Sequence, residues 1–417
     1  MAQPAAPLAG VRIIESSLLG PGAVGTHLAD LGAEVIKVES PAGDYIRRMT
    51  WPIIEGNSLL HHHISRGKRS ITLDLRTPEG VEVYKDLVRD ADVVVEAMRP
   101  GALARRGLGF DDLKEVNPSI VFCTISGYGM TGPYKDLPSH GIAYDAWGGL
   151  ISPGRDEEGF PRIDEHASVG MHAGPLFAAF GILAGVIRAR TSGEPTYLDI
   201  AQSDASVAMD WLRIETYKAY ERPESEVTGN VADNYERREP GTAGMLGGVR
   251  YQFYDAADGV VLFMSSEQEF WRNFCAGVGR MDLFERWPGS QYGDHARGNR
   301  ELQRELVAIF GTKTTAEWLE FADEVNTPIC PVNTPKTVAD DPQFQDRFPL
   351  LSHESHGADM IGSAVHLVGE ELPVPTPAPT VGQHTAEILT EVLGYEPERV
   401  TTLRALGALG AVQEQDG

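Results

Sequence analysis

Basic residues are in short supply. The 417-residue chain carries 36 lysines and arginines against 60 aspartates and glutamates, a net charge of −24. Nucleic acid and anionic membrane surfaces are bound through basic patches, so this balance argues against both kinds of partner. Cysteine is scarcer still. Cys123, Cys275 and Cys330 are scattered, lack metal-ligand spacing and fit a reducing cytoplasm. No apolar run reaches the roughly 18 residues of a membrane span, and the start MAQPAAPLAG lacks the basic and apolar regions of a signal peptide. What remains is a globular composition, 42% hydrophobic and 8% aromatic, on a chain long enough for two domains.

The most informative stretch runs from Leu18 to Asp44. Val11-Arg12-Ile13-Ile14 reads as a buried strand, and Gly20-Pro21-Gly22 then breaks the chain. From Ala23 to Leu31 the apolar residues recur at helical spacing, and Gly32 stands where a helix commonly stops. Val35-Ile36-Lys37-Val38 is a second strand. A strand, a glycine turn, a helix and a strand form a βαβ unit and predict a parallel sheet. The turn either leaves backbone N–H groups for an anionic ligand or simply packs the helix on the sheet.

The alternation continues. Strands are expected at 70–75, 92–96 and 120–125, with helices opening at Pro78 and over 111–116. In open parallel sheets ligands bind beyond the carboxyl ends of the strands, which directs attention to the loops 15–22, 39–48, 96–106 and 126–145. The scarce cations form clusters, the second of them directly after the strand 92–96. Arg66-Gly67-Lys68-Arg69 is one group, and Arg99 with Arg105-Arg106 is another. Each is either a solvated charge cluster or a phosphate site, since guanidinium and ammonium pair well with phosphate oxygens. His61-His62-His63 does not read as a metal site, because adjacent residues do not face one point and no Cys or carboxylate lies at a suitable spacing.

Residues 175–190, PLFAAFGILAGVIRAR, are apolar nearly all round and are expected as a buried core helix, too short for a bilayer. A strand follows at 197–200. Residues 215–250 turn polar and irregular, ending in Gly241, Gly244, Gly247 and Gly248, as a linker or mobile loop would. A hairpin is expected over 251–264 with its turn at Asp258-Gly259, then helices near 267–278, 299–310 and 314–323 and a strand at 327–332. A proline-rich extended segment, 371–380, leads to closing helices at 384–393 and 402–409.

Seven segments together resemble the family III CoA-transferases, named after the carnitine-CoA and bile-acid CoA enzymes and including formyl-CoA transferase and 2-methylacyl-CoA racemase. They are LADLGAEVIKVESPAGD (28–44), SRGKRSITLDL (65–75), MRPGALARRGLGFDDL (98–113), SGYGMTGPY (126–134), YQFYDAADG (251–259), TPICPVNT (327–334) and APTVGQHTAEILTEVLGY (378–395). They keep the family's order over nearly the whole chain. The resemblance implies an α/β protein with a large Rossmann-like domain from residues 1–205 and 330–417, a linker over 206–224 and a small α+β domain over 225–329. It also implies two subunits threaded through one another as interlocked rings. Coenzyme A and acyl-CoA are then substrates, no metal is needed, and the family pattern puts CoA contacts at Leu18, Leu19, the 64–68 segment with Arg66 and Lys68, Ala97, Met98, Arg99 and Arg105.

The sequence departs from this pattern at the nucleophile. The family's transferases place an aspartate shortly before the apolar helix. Its carboxylate attacks the acyl-CoA thioester, and a carboxylate is required because it must both attack and leave. Counting back from Gly181-Ile182 puts that position on Met171, or on Gly170 with a one-residue slip. Asp164 and Glu165 are the nearest acids, and His166 and His172 flank the position. His140-Gly141 stands where transferases usually carry Tyr-Asp. Racemases have a histidine there as one of two bases, so His140 is either such a base or a structural loop residue. Three readings follow. The chain is a subunit of a heteromeric CoA-transferase whose homologous partner carries the aspartate; or it is self-sufficient, as a transferase or as a racemase or lyase; or it binds acyl-CoA without catalysis. The resemblance to two-subunit members implies an arene- or alkyl-substituted succinate as the acid, with succinyl-CoA as donor.

Overall fold

The computed structural model describes residues 6–229, 236–237, 247–290, 295–348 and 350–409. The apolar runs become six parallel strands, β1 (Arg12–Ser16), β2 (Glu34–Glu39), β3 (Lys68–Thr72), β4 (Val93–Glu96), β5 (Val121–Ser126) and β6 (Thr196–Ala201). They lie in the order β6-β5-β4-β1-β2-β3. This is the doubly wound order of a Rossmann-type sheet, whose direction of winding reverses between β1 and β4. There Ile13 pairs with Val35 on one side and with Val93 on the other, and Ser16 faces Glu96.

Successive side chains of a strand point to opposite faces, which gives the sheet two cores. Ile14, Ile36, Ile71, Val94 and Phe122 pack under Val83, Tyr84 and Leu87 of α3 and under Ile388, Leu389 and Leu403 near the C-terminus. Ile13, Val35, Val93, Val121 and Cys123 pack on the opposite side, under Val24 and Leu28 of α1 and under Ala178, Ile182 and Val186 of α6. These helices are α1 (Ala23–Asp30), α2 (Leu59–Ser65), α3 (Pro78–Arg89), α4 (Phe110–Val116), α5 (Ile142–Trp147), α6 (Val169–Ser192) and α7 (Gln202–Met209). Each fully buried aliphatic side chain contributes about 1.5–3 kcal/mol. Local chemistry sets the helix ends. The Thr77 hydroxyl accepts from Gly80 N at 3.1 Å with Pro78 at the first helical position, and Gly32, at φ 96°, lies just beyond the end of α1.

The chain divides into two compact units, Met1–Asp210 with Asp346–Gly417, and Trp211–Gln345. The second contains a three-stranded antiparallel sheet of Tyr251–Asp255, Val260–Met264 and Ile329–Pro331. Its helices bury Trp271, Phe274, Phe310 and Trp318 around Phe263.

Several expectations need correction. The apolar helix is longer than its densest run, 24 residues over Val169–Ser192, so length no longer sets it apart from a membrane span. Nor is it buried all round. Gly181 and Gly185 let it approach Leu198 and Val121 of the sheet, while Leu176, Phe180 and Ile187 are 54%, 74% and 65% exposed. The 206–224 linker is largely helical as far as Tyr220, with α7 followed by Trp211–Tyr220. Gly241 and Gly244 lie outside the described residues. Residues 330–345 group with the second unit. The last helix is Pro397–Ala405, with its proline at the first position, in place of 402–409. The helices at 59–65 and 142–147 were not foreseen. In the first, three histidines mask the apolar period, and the second is a six-residue turn after a glycine.

Candidate functional site

β1 ends at the reversal of the sheet, and the chain leaves it under strain. Leu19 has φ 57° and ψ −146°, backbone angles that residues other than glycine rarely adopt, at a cost of about 1–3 kcal/mol. Pro21 then starts one tight turn, Gly20–Gly22, which runs into α1. Leu18 and Leu19 are half-buried at the carboxyl edge of the sheet. On the other side of the reversal the loop after β4 is tied back, Ala97 N donating to Ser16 O at 3.3 Å. Met98 is half-buried, and Arg99 and Arg105 extend into solvent, Arg105 donating to Pro100 O at 3.3 Å.

Arg66 and Lys68 behave otherwise. Lys68 is buried, with its ammonium on both oxygens of Glu15 at 2.9 and 2.8 Å and on Gly22 O at 2.6 Å. Arg66 is buried as well, forked onto Asp30 at 3.2 and 2.8 Å, and it donates to His63 O at 2.7 Å. Lys37 sits between Asp44 at 3.0 Å and Glu15 at 3.6 Å, and Arg47 meets Glu39 at 2.8 Å. Four buried cations thus face four buried carboxylates. Burial alone would lower Lys37, but Glu15, Asp44 and Glu39 outweigh it and raise the ammonium above its ordinary value. Lys68 has fewer carboxylates near it, and burial brings it down to about 8. This network braces the turn from below, and a phosphate could reach Arg66 or Lys68 only by displacing Asp30 or Glu15.

The histidines point to separate partners. His61 Nε2 accepts from Arg47 at 2.7 Å, which leaves its proton on Nδ1, and His62 faces Ile54 O at 3.4 Å. His63 Nδ1 accepts from Arg66 at 3.1 Å.

The two positions to which the count from Gly181-Ile182 leads can be compared. Gly170 and Met171 both lie in the first turn of α6, but they face different surroundings. A Cβ on Gly170 would run into Ser206, Gln202 O at 2.8 Å and Tyr144 Cβ at 2.9 Å, so that position is sealed by packing. Met171 turns its side chain onto the glycine turn after β1, where a Cβ on Gly20 would stand 2.8 Å from Met171 Cγ. Met171 therefore packs against the turn at the carboxyl edge of the sheet, with a thioether and no carboxylate there. Asp164 and Glu165 are exposed ahead of the helix, Asp164 paired with Arg162 at 2.8 Å, and His140 is exposed in the loop after β5.

Two buried acids escaped the sequence reading. Asp145, fully buried on α5, accepts from Gly170 N at 2.8 Å and Ser206 Oγ at 2.9 Å, and so fixes the start of α6. Glu96 ends β4 at the sheet reversal, accepting from Thr124 Oγ1 at 3.0 Å, and burial holds its carboxyl above the usual range. The signal for both was an acid inside an otherwise apolar run.

The chain is similar to known proteins over nearly its whole length. The model of the family described as CoA-transferase family III matches residues 8–385. Human succinyl-CoA:glutarate CoA-transferase is 31% identical over 97% of this chain and 90% of its own length. The beta subunit of succinyl-CoA–L-malate CoA-transferase from Chloroflexus aurantiacus is 29% identical over 96% of this chain and 97% of its own. Among solved structures, Rv3272 from M. tuberculosis superposes with a TM-score of 0.76 at 27% identity, covering 92% of this chain and 99% of that one.

Proposed function

The chain belongs to CoA-transferase family III, and on that premise we propose that it is the subunit of a two-chain CoA-transferase that lacks the nucleophile. The enzyme moves CoA from succinyl-CoA to a carboxylic acid, in the cytoplasm, and a homologous partner carries the aspartate. The observation that carries this reading is Met171 packed on Gly20 in the crevice position. A thioether has no anionic oxygen with which to attack a thioester. Support comes from the relatives whose names specify succinyl-CoA and, in one case, a beta subunit.

On the partner, a carboxylate attacks the succinyl thioester and releases CoA thiolate, leaving a mixed anhydride. The thiolate then attacks the enzyme's carbonyl and expels succinate. The acceptor acid's carboxylate takes over the acyl carbon chemistry by the same two steps in reverse, leaving as a new CoA thioester and restoring the aspartate. This chain contributes the CoA cradle. Arg99 and Arg105 reach the phosphates from the loop after β4, and the tight turn Gly20–Gly22, closed by Gly22 N donating to Leu19 O at 2.9 Å, leads into the start of α1 beside them. Arg66 and Lys68 serve it indirectly, by holding the turn in place. The exposed apolar side of α6, with Leu176, Phe180 and Ile187, is the surface the partner covers.

The test is reconstitution. The chain alone, given succinyl-CoA and candidate acids, forms no new CoA thioester. Mixed with an aspartate-bearing homologue from the same genome, it co-sediments and transfer appears. Full transfer by the chain alone would overturn the proposal.

A further inference from the structure

We propose that Glu96 is a positioning residue of the CoA site: its carboxyl carries a proton when CoA is bound, and in that neutral form it fixes the arm from Ala97 to Arg105 that presents Arg99 and Arg105. The proposal rests on the CoA-binding reading above. It adds a residue that touches no ligand and sets how affinity depends on pH.

Three buried acids stand at the carboxyl ends of adjacent strands, Glu15 in β1, Glu39 in β2 and Glu96 in β4. Two of them are neutralised by cations, Glu15 by Lys37 and Lys68 and Glu39 by Arg47. No cation bears on Glu96 among the described residues. Its surroundings are neutral. Across the sheet reversal it stands opposite Ser16, whose hydroxyl donates to Tyr84 OH at 3.0 Å. From β5, Thr124 Oγ1 donates to Oε1 at 3.0 Å, and Tyr197 OH of β6 lies 3.4 Å from that hydroxyl. The titratable groups that feel Glu96 are Tyr84, Cys123 and Tyr197; burial raises all three, so they stay neutral and none offsets a carboxylate charge. Oε2 has no hydrogen-bond partner among the described residues. An ionised carboxyl here would be a buried charge without a counter-ion, which costs far more than a neutral hydroxyl left unbonded. Burial therefore favours the neutral acid and holds it above the usual carboxylate range. The place of Glu96 in the chain gives that proton a function. Ala97 N donates to Ser16 O at 3.3 Å, and the N–H of Met98 faces the Glu96 carboxyl. Beyond them, Ala102 N donates to Arg99 O at 2.9 Å, Arg105 N donates to Gly101 O at 3.0 Å, and Leu103 enters the core. Arg99 and Arg105 thus ride on a folded arm whose first residue follows Glu96 directly. Ionisation calls for water at the carboxyl, and water reaches it by parting Glu96 from Thr124 and lifting Ala97 and Met98 from the end of the sheet. CoA held by the arm in its closed setting favours the protonated acid, so affinity falls as pH rises through the ionisation of Glu96.

Glu96→Gln keeps the shape of the neutral acid and cannot ionise, so it separates the proton from the packing. Calorimetric titrations with CoA compare the full chain and this variant at each pH from 5 to 8. The ratio of the two affinities cancels the ionisation of CoA itself. The variant is expected to match the wild type at pH 5 and to bind more tightly than it as pH rises, by up to about tenfold per pH unit. Thr124→Val removes a donor that favours the carboxylate, and should carry the fall in affinity to higher pH. In the infrared, the difference between wild type and Glu96→Gln, both saturated with CoA at pH 6, should show one protonated carboxyl band. A constant ratio, an absent band or, should Glu96→Gln not fold, a Thr124→Val dependence that coincides with the wild type's overturns this inference and leaves the CoA reading standing. No binding of CoA by the wild type at any pH overturns both.

Discussion

Met171 and Gly20 were both visible in the sequence, one by counting back from the apolar helix and the other as part of a glycine turn. What could not be read was that they touch, and that Gly170 has no room for any side chain. Nor could the sequence show what Arg66 and Lys68 meet. A cation on a strand edge reads the same whether it meets solvent or a carboxylate, and their partners, Asp30 and Glu15, are 36 and 53 residues away. The buried histidines beside them carry a pH dependence. Burial and the Arg66 guanidinium lower His63 to about 4, and burial and Arg47 lower His61 to about 3. Unfolded, both titrate near about 6.5. Below that pH the unfolded chain takes up protons the folded chain refuses, so stability falls on acidification, by up to about 1.4 kcal/mol per pH unit for each histidine. The thermal midpoint should drop steadily from pH 6.5 towards 4, and His63→Gln should flatten part of that slope. An unchanged midpoint from pH 7 to 5 would contradict the assignment.

At the level of elements, the strands were readable because each is a short β-branched run, and α1 and α3 because their apolar residues keep a helical period between a turn and a stop. The failure of α6 is instructive. A helix apolar all round announces that every face is covered, and not by what. Here the sheet covers one side through Gly181 and Gly185. The start of α6 is set by packing of a different kind, Asp145 on Gly170 N with α7 pressed against the glycine. Gly170→Ala should therefore destabilise the protein by about 1–3 kcal/mol through overpacking. Chemical denaturation reads this directly. A change below about 0.5 kcal/mol would mean the helix start has slack that the geometry denies.

The whole molecule was readable as a family member from seven ordered segments, and the six-stranded doubly wound sheet bears out the Rossmann-like architecture. The chemistry was harder to read, because it turns on the single position to which Met171 is assigned by counting. On the reading proposed above the chain is half of an enzyme; the alternative is an enzyme with its own nucleophile, and covalent trapping tells these apart. The chain is incubated with succinyl-CoA, alone and then with an aspartate-bearing homologous partner, quenched with borohydride, and both polypeptides are weighed intact. No mass change on this chain in either sample, with a stoichiometric change on the partner in the second, is the predicted result. A stoichiometric adduct on this chain, mapped to Asp164, Glu165 or any other of its carboxylates, would contradict it.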